Sequence, residues 1–198
     1  MTRSSLERAL ASAITAAPAL LGCVLARRTE AGLRLARIVE TEAYPPDDPA
    51  CHAFRGPTRR NGAMFGGRGS AYVYRIHRST CFNVVTGGVG SGEAVLVRAV
   101  EPIDGLALMA QARERSTAGK RAPGGYDITN GPGKLCQALS IDLGLNGVDL
   151  LRGGVDSPLA LLPGPRVQTI VSTPRIGISV AKTAKLRFVI RRSPWASR

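Results

Sequence analysis

Along this chain, short stretches in which apolar and polar side chains alternate outnumber stretches with helical spacing. The longest alternating run is residues 33–44, LRLARIVETEAY, which reads as a strand. An apolar run at 21–27 precedes it across a turn over 29–32, so the two form a hairpin. Residues 71–76 and 81–86 are a second pair of β-prone runs, separated by the polar tip His77-Arg78-Ser79-Thr80. A glycine-rich turn over 87–92 leads into 93–100, EAVLVRAV, which alternates again. Mostly turns follow over 144–165, with further strands expected over 167–172 and 186–191.

Helical spacing appears in fewer places. Leu6, Leu10, Ile14 and Ala17 trace one stripe, with Ser4 or Ser5 as N-cap and Pro18 as the stop. Leu106, Met109, Ala110 and Arg113 place a helix over 103–117 after Pro102, and Pro132-Gly133 introduces another over 134–143. Together these elements predict an α+β fold: a single mixed domain over residues 1–198, with a curved antiparallel sheet flanked by helices and a protruding β-hairpin. No internal repeat and no interdomain linker interrupts it.

One region escapes both periodicities. Residues 45–70 are rich in Gly, Pro and Arg, and a long structureless segment inside a compact domain is usually functional. It continues directly from the strand at 33–44, where Glu40, Glu42 and Tyr44 share one face and Val39, Thr41 and Ala43 the other. The run Pro45-Pro46-Asp47-Asp48-Pro49 ends that strand, and the loop beyond carries His52, Phe54, Arg55, Arg59 and Arg60. Two carboxylates, an aromatic ring and a basic loop are thereby brought close in sequence.

Charge then narrows the partners. The 27 Lys and Arg against 14 Asp and Glu give a formal charge of +13, which suits a polyanion and makes nucleic acid the first candidate. Lysine supplies only Lys120, Lys134, Lys182 and Lys185 of that total; the rest is arginine, suited to bidentate phosphate contacts. Arg55, Arg59, Arg60 and Arg78 are expected at the DNA backbone, and Lys134 beside a helix N-terminus that would receive a phosphate. Cys23, Cys51, Cys81 and Cys136 show no metal-ligand spacing, so reduced thiols and no metal are expected. Arg3, Arg8 and residues 9–17 faintly imitate a leader, but Glu7 and Pro18 interrupt the pattern, and no stretch is apolar enough to span a bilayer. These features predict a cytoplasmic, nucleoid-associated protein with no membrane partner.

On residue chemistry alone, Glu40 and Glu42 both remain candidates for acid–base work, since an ideal strand separates them by about 6 to 7 Å, near the spacing of paired-acid glycosidases. That leaves three function classes: an enzyme acting on DNA, a non-catalytic damaged-DNA or RNA-binding module, and a small-molecule hydrolase using the carboxylate pair. The basic surplus would be superfluous for the last of these.

One stretch and five further ordered blocks add a resemblance. VETEAY at 39–44, followed by His52, RG at 55–56, RN at 60–61 and MF at 64–65, resembles the alkyladenine (3-methyladenine) DNA glycosylases, as do the blocks around 72–74, 81–85, 95–102, 130–139 and 175–178. The resemblance implies a fold like the formyltransferase C-terminal domain. It also implies a cofactor-independent, monomeric enzyme that flips and hydrolytically excises alkylated purines of the 3-methyladenine type from double-stranded DNA. Deaminated and etheno purines are further candidates, and an abasic site is left. It assigns the general base to Glu42, a structural role to Glu40, support of the catalytic water to Arg98, and the base pocket to Tyr44, His52, Tyr74 and Asn83, with Asn83 disfavouring purines that carry a 2-amino group. The family usually carries Tyr-Gly-Met-His or a close variant at the hairpin tip, where the tyrosine wedges into the duplex; here the tip is one residue shorter and His77, with Arg78, takes that place. No lysine lies between residues 1 and 119, so a pocket built there has no Schiff-base nucleophile and a monofunctional glycosylase is expected.

Overall fold

The computed structural model describes residues 1–77, 79–117 and 124–197. Its centre is a strand of 13 residues, longer than any other in the sheet. In chain order the strands are β1 (Val24–Thr29), β2 (Gly32–Tyr44), β3 (Ala71–Ile76), β4 (Ser79–Thr86), β5 (Glu93–Asp104), β6 (Leu159–Leu162), β7 (Ile170–Thr173) and β8 (Arg187–Ile190). All of their pairings are antiparallel, in the order β3-β4-β5-β2-β1-β6. β5 pairs along one edge of β2, while the other edge is shared: β1 takes Gly32 to Arg37, and β8, itself paired with β7, takes Glu40 to Glu42. This mixed α+β architecture with a curved antiparallel sheet is the one its patterning predicts.

The register of β2 resolves a conflict in its own sequence. Ala36 and Ile38 belong to the main core, and so does Ala43, although positions 36 and 43 should face opposite ways on a regular strand. Ile38 pairs with Val100, Glu40 with Ala99 and Thr41 with Val97, so Val39 is an extra residue on β2 and Arg98 an extra residue on β5. Opposed bulges of this kind re-aim side chains locally. The simple alternation expected for residues 39–44 therefore holds from Glu40 onward and is reset at Val39.

The main core lies between the sheet and four helices, α1 (Arg3–Ala9), α2 (Ala13–Ala19), α3 (Leu106–Thr117) and α4 (Pro132–Ala138), with Leu6, Leu10, Leu20, Phe82, Met109, Leu135 and Leu139 fully buried. A smaller cluster of Cys51, Ala53, Met64, Tyr72, Val85 and Ala94 packs the 45–70 loop onto the other face.

Several elements differ from expectation. The first helix is two helices: Thr2 caps α1 through Ser5, and Ser12 breaks the run by capping α2 through Thr15. The break turns Ala13, Ala16 and Ala17 inward and leaves Ile14 exposed at 44%. Pro18 sits within the last turn of α2, where little helix remains to disrupt. β5 runs past Pro102 to Asp104, and the chain then turns at Gly105 (φ 74°), where any Cβ would meet the Leu33 carbonyl oxygen at 2.6 Å. α4 starts at Pro132 and ends early, before Ser140 adopts φ 50°. Residues 159–162, expected as turn, form β6, because β1 offers an open edge to that apolar run. The second strand of the hairpin begins at Ser79, two residues earlier than expected, where it pairs with Ile76.

The far side of β2 anchors its chemistry-bearing face. The buried Thr41 hydroxyl donates to the Ala17 carbonyl of α2 at 2.8 Å. Thr41→Val keeps the shape and removes this bond, and the expected outcome is a loss of about 0.5–1.5 kcal/mol in urea unfolding, or somewhat more because the carbonyl is left unpaired.

Candidate active site

Glu40 and Glu42 point away from the helical core, and both are fully buried. A carboxylate out of water is tolerated only when charge and hydrogen bonds compensate it. Around Glu40 they do: Oε1 accepts from Arg98 Nε at 2.9 Å, Arg187 Nε at 2.6 Å and the Ser197 hydroxyl at 2.7 Å, and Oε2 accepts from the Ser197 amide at 2.5 Å. Every oxygen of this group is engaged in holding β2, β5, β8 and the segment after β8 together.

Glu42 is held more sparingly. Its Oε1 accepts from the Ile176 amide at 2.8 Å and faces Arg98 Nη1 at 3.3 Å, and among the described residues its Oε2 accepts only from the Tyr44 hydroxyl at 2.9 Å. A carboxylate oxygen has two acceptor positions, so Oε2 retains one for a further donor. Arg98 thus bridges the two carboxylates, with Nε on Glu40 and Nη1 on Glu42.

Tyr44 is fixed from two directions. The Arg175 guanidinium lies 4.6 Å from its ring centroid, while Arg175 also donates to the Ala43 carbonyl at 2.9 Å and pairs with buried Asp48. Burial, followed by the charge of Glu42, pushes the Tyr44 hydroxyl well above its ordinary pKa, so it is a permanent donor to that carboxylate.

Tyr44, His52, Tyr74, Asn83 and Arg98 line one cavity of about 310 Å³, with Tyr72, Cys81 and residues 176–178. The structure therefore brings together the four residues expected in the base pocket and Arg98, expected beside the catalytic water. His52 and Tyr74 do not face each other across a gap: their rings meet edge to face at 4.5 Å, and Tyr72 stacks on Tyr74 at 5.3 Å while its hydroxyl lies 3.0 Å from His52 Nδ1. The three rings make one continuous aromatic wall. Partial burial, followed by the charge of Arg60, lowers the His52 pKa from 6.5, whereas burial raises that of Tyr72 to about 12. The loop carrying His52 is stapled by Asn61, whose amide donates to the His52 and Gly56 carbonyls at 2.8 and 3.1 Å and whose Oδ1 accepts from Thr58. Asn83 donates to the Tyr72 carbonyl at 2.9 Å, which fixes its amide in the wall.

The residues expected at a backbone surface are more dispersed. Arg55, Arg59 and Arg60 are exposed on the 45–70 loop, and His77 sits exposed at the tip with φ 50°, next to Ile76, which is 47% exposed and lines the cavity. Arg78 lies outside the described residues. Lys134 is already engaged, with Asp127 Oδ1 at 2.6 Å and Asn130 Oδ1 at 2.8 Å.

Arg175, Arg187, Ser197, Asp48 and Tyr72 were not singled out as site residues. Tyr72 had a legible signal, because it shares a face with Tyr74 at strand spacing. Arg187 and Ser197 reach Glu40 from about 150 residues away, and no local pattern reports that.

Comparison with known proteins agrees with this geometry. The model of the methylpurine-DNA glycosylase family matches residues 7–194. Relatives from Methanoculleus marisnigri (50% identical, covering 93% of each chain), Carboxydothermus hydrogenoformans (44%, covering 90% of each) and Rubrobacter xylanophilus (45%, covering 86% of this chain and 85% of that one) are each named "Putative 3-methyladenine DNA glycosylase". The chain belongs to the methylpurine-DNA glycosylase family. It is thereby a DNA glycosylase, a hydrolase of N-glycosidic bonds.

The lowered pKa of His52 has a signed consequence. The unfolded chain takes up this proton near pH 6.5, the folded protein only at lower pH, so His52 contributes stability above that value which is lost as pH falls through it. Between about pH 7.5 and 5 the melting temperature of His52→Gln should fall less steeply than that of the unaltered protein.

Proposed function

We propose that this protein excises alkylated purines of the 3-methyladenine type from double-stranded DNA, using water and Glu42 and leaving an abasic site, with residues 1–198 acting as one domain. The observation that carries the reading is Glu42 itself. It is a buried carboxylate beside an aromatic-walled cavity, with one oxygen fixed by Ile176 and Arg98 and the other still able to accept a proton.

A base in a duplex presents neither its glycosidic bond nor its faces, so the nucleotide is turned out into the cavity. Ring faces in the aromatic wall favour a cation, and alkylation at a purine nitrogen makes the base cationic. His52, held neutral at neutral pH by its lowered pKa, adds no opposing charge. As the bond to the base lengthens, positive charge develops at the anomeric carbon; Glu42 stabilises it and accepts the proton of the attacking water, while Arg98 keeps Glu42 oriented. Asn83 in the wall would crowd a 2-amino group. Deaminated and etheno purines fit the same scheme but, lacking the charge of an alkylated base, need protonation as they leave.

Among the described residues no lysine lines the cavity, which supports hydrolysis over a covalent imine and so a monofunctional enzyme. His77 at the hairpin tip would fill the stack that the flipped nucleotide vacates, with Ile76 beneath it supplying apolar surface. Arg55, Arg59 and Arg60 would take phosphates, and Lys134 would do so only by exchanging Asp127. The protein would act as a monomer on chromosomal DNA in the cytoplasm. The alternative of a non-catalytic binding module is disfavoured by Glu42, whose burial has no role in binding a backbone.

Glu42→Gln tests the assignment. Lesion-duplex binding should persist while single-turnover excision falls by about 10²-fold or more, the scale of a general base. Glu40→Gln should instead lower folding stability, by about 3–5 kcal/mol, because it leaves paired guanidinium groups uncompensated. Unimpaired excision by Glu42→Gln would transfer the chemistry elsewhere.

The wedge is tested separately. His77→Ala should weaken binding to lesion duplexes and spare excision from single strands, where no stack is opened; equal losses on both would make His77 structural.

A further inference from the structure

Beyond β8 the chain folds back so that Ser197, only 9% exposed, reaches the carboxylate pair. Its amide and hydroxyl both donate to Glu40, at 2.5 and 2.7 Å, and Arg187 Nη2 in turn donates to its carbonyl at 3.2 Å. Trp195 packs edge-on against Tyr126 at 5.0 Å, which pins the same segment to the turn before α4.

The Ser197 hydroxyl also touches Arg98. It accepts from Nε at 3.4 Å and from Nη2 at 3.3 Å, and among the described residues it is the partner of that Nη2. One edge of the guanidinium is therefore fixed by Glu40 and Ser197 together, and this leaves Nη1 directed at Glu42 and the Ile176 carbonyl. A planar group held along one edge cannot swing its far nitrogen away from Glu42.

We infer that Ser197 is a positioning residue for Glu42, acting through Glu40 and Arg98; the inference rests on the reading of Glu42 as general base. The hydroxyl is suited to the task because it can donate to the carboxylate and accept from the guanidinium at once. Backbone contact alone could tether the segment, but only the side chain reaches Arg98 Nη2. Ser197 does not itself line the cavity and meets it only through Arg98, so its loss should alter turnover without altering how lesion DNA is bound.

The test is single-turnover release of 3-methyladenine from duplex DNA treated with dimethyl sulfate, followed over a range of protein concentrations so that one data set gives both the maximal rate and the half-saturating concentration. Ser197→Ala should lower the maximal rate by about 3- to 10-fold, the factor carried by one ordinary hydrogen bond, with the half-saturating concentration unchanged. Ser197→Thr, which keeps the hydroxyl, should restore the rate. An unchanged rate in Ser197→Ala, or a loss that follows a lowered melting temperature and is not restored by threonine, overturns the inference. Absence of base release by the unaltered protein would instead overturn the proposed function on which it rests.

Discussion

Two carboxylates on the central strand are sealed from water, and the cost of doing so shapes much of the molecule. An ionised group moved into a protein interior loses several kcal/mol of hydration that only nearby opposite charge and hydrogen bonds restore. Here Glu40, Glu42 and Asp48 are met by Arg98, Arg175 and Arg187, three negative groups against three positive ones. The six come from β2, the following loop, β5, the segment before residue 176 and β8, so the site exists only when these distant segments have assembled. β8 pairs with Glu40 to Glu42 and with no other part of β2, which makes its placement as much electrostatic as hydrogen-bonded.

The division of labour between the two glutamates follows from their partners. Glu40 receives four donors, from Arg98, Arg187 and twice from Ser197, and its Oε2 is turned to Ser197, which does not line the cavity, so this carboxylate is committed to holding segments together. Glu42 keeps a free position on the oxygen facing Tyr44. The opposed bulges at Val39 and Arg98 are what separate these groups from the helical core, so a packing irregularity in the sheet is also what creates the carboxylate-bearing face.

Much of this was legible in the sequence. Alternation identified β2 and its partners, and period-two spacing placed Glu40, Glu42 and Tyr44 on one face, because a strand's geometry is nearly independent of what surrounds it. The helical stripe at the start of the chain was misjudged for a local reason: the side chain of Ser12 outbids the backbone and resets the phase, which hydrophobic spacing does not register. β6 was missed because Leu159 to Leu162 is too short to declare itself until β1 presents an edge. The contributions of Arg187 and Ser197 were illegible in principle, since they depend on the chain returning to Glu40 after 147 and 157 residues. The bulges belong to the same class, being decided by which of two strands yields a residue.

The central claim is that this pocket breaks an N-glycosidic bond with water and nothing covalent. Its most direct test is to incubate the protein with dimethyl-sulfate-treated duplex DNA in two parallel reactions, one without borohydride to resolve freed bases and DNA strands and one with it to look for protein trapped on DNA. Without borohydride, free 3-methyladenine and strands that break only after later alkaline treatment are expected; with it, no protein is trapped on DNA. Strand cleavage without alkali together with a borohydride-trapped protein–DNA adduct would contradict it.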